Sequence, residues 1–348
     1  MKIVKVSGKE LWSEGLNNFD HSLYLNTEFI DAVHVANGTP VYLDFKENDK
    51  IMAKLAGFKI NARFSFQNRL YFYSDPACAM GTNGTTLKCC YSCLIKWAKK
   101  NNIYRIIKLS YDNHQLTRGV RKFKFAKRAE YIIDLTQDEE TLNNNFAHNV
   151  ICIKRRSINQ GYLFKESADQ EMTDHLINML DETRKVRMSK GGEYYDYFYI
   201  PSFDRNSLEQ LTENGLIRYY YVEKDQKKLT IMAVMVKNEQ AYALFMGSTP
   251  EGYKAGAPTF LNHQLILLLK KRGYKYLNLG GVPIGKSHKG LEEFKQRLGA
   301  VKVWSHYGST NFIKFPFTLL NPALFAARHI PDNKVLCYVK KKLKIQNY

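Results

Sequence analysis

The order of strands and helices in this sequence occurs twice, and this repetition limits the fold more than any other feature. In the first half, the strand Val41–Phe45 is followed by a polar turn and by a second strand that starts at Ile51. In the second half, Arg218–Val222 leads through a polar turn into the strand Leu229–Val234. Strand-forming runs on both sides of a short polar turn are typical of β-hairpins, so we predict two hairpins of the same design.

A helix and a further strand follow each hairpin. The first helix begins at residues 84–87 and ends at residues 99–102, before the strand Ile103–Leu109. The second begins at residues 256–259, carries leucines at helical spacing, and ends at Gly273, before the strand Tyr274–Leu279. Such a leucine stripe faces a core, and glycine is favoured just after a helix. The sequence therefore predicts two α/β halves of similar topology, with a boundary near residue 150.

The chain has 348 residues and a formal net charge of +19. This excess favours anionic partners such as nucleic acid, acidic lipid headgroups or phosphorylated substrates; a solvated basic face is the alternative. Residues 118–128 hold six cations and no acid, and further clusters lie at residues 154–156 and 340–342.

Several functional classes lack support in the sequence. No run of about 18 apolar residues occurs, so no transmembrane helix is predicted, and the N-terminus has no features of a secretory signal. Cys90 and Cys93 form a CxxC pair inside a predicted helix, and no second pair stands at zinc-finger spacing. We therefore expect neither a metal site nor a disulfide framework. The P-loop, GxGxxG, HExxH and GxSxG motifs do not occur either.

Five short motifs stand in a fixed order over residues 216–304. They are Phe245-Met246-Gly247-Ser248, Gly256-Ala257-Pro258-Thr259, Tyr276-Leu277-Asn278-Leu279-Gly280-Gly281, Gly290-Leu291-Glu292-Glu293-Phe294-Lys295 and Gly299. This combination resembles the Fem-type peptidoglycan aminoacyltransferases, a tandem-GNAT family. The resemblance is looser over the first half of the chain.

The resemblance implies an α/β (α+β) chain with two tandem GNAT-like domains. Each is expected to be a mixed, mostly antiparallel sheet flanked by helices, without the coiled-coil insertion that some family members carry. The first domain is predicted over residues 1–150 and the second over residues 151–308. The segment 309–348 is expected to pack back on the first domain.

The resemblance also implies an activity. Family members transfer an amino acid from aminoacyl-tRNA to an amine of the stem peptide of a peptidoglycan precursor. The expected partners are aminoacyl-tRNA, as co-substrate, and a lipid-linked or nucleotide-linked muropeptide, with no bound cofactor. The expected location is cytoplasmic, with peripheral contact to the inner face of an anionic membrane.

One basic residue and several glycines are the leading site candidates. Lys295, at the family's FK position, is the predicted catalytic residue, and its ammonium is expected to contact the negative charge that develops on the tetrahedral oxyanion. Phe294, next to it, is predicted to belong to the substrate site, where packing rather than chemistry is its expected role. Gly280 and Gly281 allow a ligand to approach the backbone closely, and Gly256 opens a helix whose free N–H groups can hold an anion.

For the acceptor, we predict contacts with guanidinium groups and aromatic faces. Arg184 and Arg187 offer forked donors for phosphate or carboxylate, and Tyr197 and Tyr253 offer flat faces for sugars. A purely structural role is the alternative for each of these residues.

Two departures from the family pattern leave the donor and the acceptor open. Asn278 replaces an aspartate, and Leu298 replaces a phenylalanine. The alternative is an acyl-coenzyme A-dependent N-acyltransferase that acts on a polysaccharide or another amine, although the usual coenzyme A loop is missing. A third interpretation is a non-catalytic protein that binds RNA or an anionic membrane. The general base is a further open question, for which the candidates are Asp75, Asp196, His263 and the substrate itself.

Overall fold

The computed structural model describes residues 1–6, 8–79, 84–112, 120, 122–189, 197–282 and 289–329; of residues 186, 187, 189 and 327–329 it describes the backbone only. The strands are β1 Lys2–Val6, β2 Gly38–Glu47, β3 Lys50–Ile60, β4 Arg69–Phe72, β5 Ala77–Cys78, β6 Arg105–Lys108, β7 Phe123–Asp134, β8 Leu163–Ser167, β9 Ile217–Lys224, β10 Lys227–Lys237, β11 Gln240–Ser248, β12 Tyr276–Gly281 and β13 Val301–Thr310. The helices are α1 Lys9–Glu14, α2 Thr27–Ala32, α3 Gly84–Lys100, α4 Glu139–Asn144, α5 His148–Asn159, α6 Glu171–Ser189, α7 Arg205–Glu213, α8 Pro250–Ala255, α9 Ala257–Lys271, α10 Lys289–Arg297 and α11 Asn321–His329. Among the described helices, none has both the length and the apolar character needed to cross a bilayer.

The chain divides into two compact units. The first contains Met1–Ile30, Val35–Arg128 and the segment that begins at Trp304, and the second contains Asp31–His34 and Ala129–Val303. The second unit therefore begins before the predicted boundary near residue 150, because the later part of β7 pairs with β12. The C-terminal segment belongs to the first unit from Trp304 onward, whereas the sequence-based boundary stood at residue 309.

In the first unit, β1, β2 and β3 are antiparallel neighbours, and β4 pairs with β3. After α3, β6 returns parallel to β4. In the second unit, β8 to β11 are successive antiparallel neighbours, and after α9, β12 returns parallel to β11. The predicted duplication of hairpin, helix and strand is confirmed, as is the mixed, mostly antiparallel architecture, and the structure adds a strand before each helix.

The two predicted hairpins have turns of the same type. Asn48 and Asp49 connect β2 to β3 with φ angles of 47° and 62°, and Asp225 and Gln226 connect β9 to β10 with 48° and 62°. Two consecutive positive φ angles define the type I′ turn, whose twist matches that of the strands it joins.

Helices cover both faces of the second unit's sheet. The leucine stripe of α9 is buried in a core with α5 and the neighbouring strands, as the sequence predicted. On the other face, α6 lies against β11 at Gly247, where an added Cβ would stand 2.7 Å from the Cβ of Met179. Gly247 thus allows a helix to approach a strand closely.

Candidate active site

The parallel strands β11 and β12 separate at their carboxyl ends. Their pairing runs from Gln240 opposite Tyr276 to Tyr242 opposite Asn278. Both strands continue past that point, β11 to Ser248 and β12 to Gly281. We call residues 242–248 of β11 and 278–281 of β12 the strand fork. Ligands of α/β folds commonly bind at the carboxyl ends of parallel strands, so the fork is the natural place to look for a site.

A β-bulge at Gly280 lies where β12 is no longer paired with β11. On its other edge β12 pairs with β7, and the register shifts between Asn278 and Gly281. Gly280 has a φ of 72°, a left-handed conformation that glycine adopts without steric penalty. Its N–H donates to Oδ1 of Asn278 at 2.8 Å, so the side chain that replaces the family's aspartate fixes the bulge.

Lys295 on α10 holds the end of β12 in place. Its side chain is buried, and its Nζ donates to the carbonyl oxygens of Leu279 at 2.6 Å and of Gly280 and Gly281 at 2.9 Å. An ammonium has three hydrogens to donate, so these bonds occupy its donor capacity. The ammonium also lies 5.5 Å from the ring centroid of Tyr131. Lys295 and the two predicted glycines therefore form one continuous structure.

A buried carboxylate accepts a hydrogen bond from each strand of the fork. Glu130 on β7 is 2% exposed and accepts hydrogen bonds from the hydroxyl of Tyr242 at 3.2 Å and from the amide of Asn278 at 3.0 Å. The sequence-based search did not find Glu130. The available signal was a single acidic residue between apolar neighbours in the strand that ends at Asp134.

A group of aromatic side chains lies beside the fork. The hydroxyl of Tyr199 donates to the carbonyl of Leu244 at 3.0 Å and lies 3.8 Å from the point where a Cβ on Gly280 would stand. The ring of Phe245 contacts both Phe198 and Tyr199. Tyr197 contacts Phe198 in turn.

Of the predicted acceptor residues, Arg184 and Tyr197 lie together. The guanidinium of Arg184 stands 5.2 Å from the ring centroid of Tyr197 and donates to Asp181 at 2.6 Å. Arg187 lies on α6, but its side chain is outside the described residues. Tyr253 lies on α8 and is 46% exposed. The proposed contacts of these residues with an acceptor stay predictions.

The start of α9 is packed against α5. Gly256 has a φ of 82°, and an added Cβ there would stand 3.0 Å from Ile153 and 3.4 Å from the guanidinium of Arg156. Arg156 also donates to the carbonyl of Ala255 at 2.9 Å. The N–H groups of Thr259 and Phe260 bond back to the carbonyl of Gly256. At the anion site predicted at Gly256, the carbonyl groups of the turn thus already have backbone and side-chain partners.

The remaining residues predicted from the sequence are Phe294 and the three candidates for the general base. Phe294 packs against the core of the second unit. His263 is fully buried against Phe146, and burial lowers the pKa of its imidazole to about 4. Asp75 is buried in the first unit, where it pairs with Lys108. Asp196 lies outside the described residues.

Comparisons with known proteins agree with this fold. Residues 149–296 match the family model described as an acetyltransferase (GNAT) domain. A search of curated proteins gives no match. A search of solved structures finds FemX, with a TM-score of 0.68 and 12% identity, over 92% of this chain and 99% of that chain.

Two further structures share the fold. One is the C-terminal domain of a protein described as a lysylphosphatidylglycerol synthetase from Agrobacterium fabrum, with a TM-score of 0.54 and 14% identity over 91% of this chain and 96% of that chain. The other is L-PGS from Bacillus licheniformis, with a TM-score of 0.51 and 16% identity over 90% of this chain and 94% of that chain. The likeness to Fem-type proteins inferred from the motifs agrees with these shared folds.

Proposed function

We propose that this protein, whose residues 149–296 match a GNAT acetyltransferase domain, transfers an amino acid from aminoacyl-tRNA to an amine of a peptidoglycan-precursor stem peptide. The observation that carries the proposal is the strand fork, where β11 and β12 separate beside the Gly280 bulge. The motifs of the second half and the fold shared with FemX support the same activity.

The fork suits an extended acyl group. Beyond Tyr242, the edge of β11 is no longer paired with β12, so a bound chain segment can add to that edge by backbone hydrogen bonds. In the reaction, the neutral amine attacks the ester carbon and forms a C–N bond. The C–O bond to the ribose then breaks, and the tRNA leaves with a free hydroxyl group. The amine proton passes to that oxygen, directly or through a base.

Lys295 supports this reaction through the position of the fork. Its three donated hydrogen bonds keep Leu279, Gly280 and Gly281 in one conformation. A direct contact with the oxyanion, as the motif predicts, requires that one of these bonds is released. A donor to the oxyanion lowers the barrier by about 3 kcal/mol, less the free energy of the hydrogen bond that is released.

The choice of aminoacyl-tRNA over acyl-coenzyme A rests on the start of α9. A pyrophosphate at a helix N-terminus needs free backbone N–H groups and space beside them. Here Pro258 has no N–H, the N–H of Thr259 bonds to Gly256, and Ile153 and Arg156 occupy the space beside that glycine. The nearby cations Lys154 and Arg155 on α5 suit a polyanion instead.

The test is an incubation of the full chain with total aminoacyl-tRNA and either nucleotide-linked or lipid-linked muropeptide, followed by mass spectrometry. We expect the muropeptide to gain the mass of an amino-acid residue, only when charged tRNA is present. The rate should fall steeply as salt rises, because phosphate contacts are salt-dependent.

Two results would overturn the proposal. Product formed from acyl-coenzyme A in the absence of tRNA would assign the protein to coenzyme A-dependent acyl transfer. The absence of product with either donor, together with RNA binding, would assign it to the non-catalytic class. The proposed cytoplasmic location follows from the same substrates.

A further inference from the structure

The C-terminal segment of the first unit exposes an unusual amount of apolar surface. Residues 315–327 include no charged side chain. Phe315 is 72% exposed, Leu319 71%, Phe325 53% and Leu320 48%. Single exposed apolar residues are common on proteins, but a contiguous group of them marks an interaction surface.

Phe64 belongs to the same surface. It is 55% exposed and stacks on Phe66 at 5.8 Å, and Phe66 stacks on Phe317 at 4.8 Å. Phe317 begins the short 3-10 turn that contains Leu319 and Leu320. We call Phe64, Phe315, Leu319, Leu320 and Phe325 the apolar patch.

The segment is held in place by well-defined contacts. Asn321 exchanges two hydrogen bonds with the backbone of Phe312, both at 2.9 Å, which closes the loop that carries Phe315 and Leu319. The N–H of Ile313 donates to the carbonyl of Tyr104 at 2.9 Å, and the side chains of Ile313 and Leu324 are buried. The exposed side chains of the patch therefore project from a fixed base.

Cations lie beside the apolar patch. The ammonium of Lys124 stands 4.5 Å from the ring centroid of Phe325, and the guanidinium of Arg63 stands 5.8 Å from that of Phe64. Lys314 directly precedes Phe315 and lies over Tyr104. Apolar side chains with cations at their border match the order of groups in a bilayer surface, where acyl chains lie below anionic headgroups.

We propose that the apolar patch docks this protein on the surface of an anionic phospholipid bilayer. Phe315, Leu319 and Leu320 enter the boundary between headgroups and acyl chains, and Arg63 and Lys124 contact the phosphates. This docking is independent of the acyl group and acceptor proposed above, since it uses only the first unit.

The chemistry of the patch favours lipid over nucleic acid. Single-stranded RNA stacks its bases on aromatic rings, and leucine side chains do not provide such a surface. Leu319 and Leu320 lie at the centre of the uncharged segment, and Leu319 is among its most exposed residues. Binding through these leucine side chains is favourable only when they leave water for an apolar environment.

The experiment is flotation of the full chain with phosphatidylcholine vesicles, with and without phosphatidylglycerol. We expect the wild type to float with the phosphatidylglycerol vesicles. The double variant Phe315→Ser/Leu319→Ser should reduce the bound fraction at least about tenfold, because its inserted apolar area is lost. Arg63→Gln should weaken binding to the anionic vesicles about fivefold. Leu11→Ser is the matched control, since Leu11 is 69% exposed on α1 and should leave binding unchanged.

Thermal unfolding shows whether the variants remain folded, and turnover on a nucleotide-linked acceptor should be retained by all of them. Absence of wild-type flotation, or equal flotation of the double variant and Leu11→Ser, would refute the docking. So would a dimer that the double variant dissociates while vesicle binding persists, because the patch would then bind a second copy. Loss of tRNA binding with vesicle binding intact would assign the patch to RNA.

Discussion

The two parallel strand pairs of this protein, one in each unit, differ at their carboxyl ends. In the first unit, the pairing of β4 with β6 continues beyond the strands: the N–H of Leu109 donates to Phe72 at 2.9 Å and that of Tyr111 to Tyr73 at 2.8 Å. In the second unit, the corresponding pairing ends at Tyr242. The duplicated scaffold thus has one closed pair and one open fork.

Different buried groups hold these two ends. In the first unit, Asp75 accepts hydrogen bonds from Tyr91 and Lys108, and Ser110 lies beside it. Burial raises the pKa of the Asp75 carboxyl and lowers the pKa of the Lys108 ammonium, and each is opposed by the charge of its partner. In the second unit, Lys295 binds backbone carbonyls at the strand end. We infer that the first unit is a support and that acyl transfer belongs to the second.

The largest effect is expected for Lys108→Met. Removal of the ammonium leaves the Asp75 carboxyl buried without its counter-charge, so the free energy of unfolding should fall by about 3–5 kcal/mol. Turnover of the protein that remains folded should not change. Urea denaturation and the transfer assay measure the two quantities.

A neutral pair provides the control for that experiment. Asp75→Asn combined with Lys108→Met should recover most of the lost stability, because the two changes act on one interaction. A marked loss of turnover in folded Lys108→Met would show that the first unit takes part in the chemistry, and the comparison would fail.

Lys295→Met should affect both quantities. The carbonyls of Leu279, Gly280 and Gly281 would lose their shared donor, which should reduce stability by about 1–3 kcal/mol. If the ammonium also meets the oxyanion, turnover should fall about 10²–10³-fold. Lys108→Met is the matched control, since it also removes a buried ammonium. Unchanged turnover in Lys295→Met would exclude any part for this residue in the reaction.

The sequence predicted the scaffold well because its signals are local. The polar turns at Asn48 and Asp225 and the leucine stripe of α9 each determine an element within a few residues. The Gly280–Gly281 strand end and Lys295 were found by their motif, and the structure brings them together.

The missed features depend on contacts between distant residues. Glu130 meets Tyr242 and Asn278 from another strand, and its own neighbours in the sequence give no sign of those partners. The unit boundary was placed late because the pairing of β7 with β12 joins residues far apart in the chain. The buried ion pair of Asp75 and Lys108 was not predicted for the same reason.

Two tyrosines allow a finer comparison of the carboxyl ends of the two parallel strand pairs. Tyr91 donates its hydroxyl to Asp75 in the first unit, and Tyr242 donates to Glu130 in the second. Replacement of either by phenylalanine should reduce stability by about 1.5–3 kcal/mol, because each removes a hydrogen bond to a buried carboxylate. Only Tyr242→Phe should also lower turnover, which a transfer assay at saturating substrate measures. Equal effects on turnover would mean that Tyr242 has no special relation to the site.

The smallest predicted effect distinguishes two consequences of replacing a glycine. A positive φ angle reduces stability, whereas a side chain that enters the fork reduces turnover. Gly280 and Gly273 have φ angles of 72° and 79°, so alanine at either position should reduce stability by about 1–2 kcal/mol. An added Cβ meets open space at Gly273 but stands 3.3 Å from the hydroxyl of Tyr242 at Gly280. Gly280→Ala alone should therefore lower turnover, by about tenfold for each 1.4 kcal/mol added to the barrier. If both variants lose stability equally and keep full turnover, the acyl group does not enter the fork beside Gly280, and the open strand pair is only a variation of the fold.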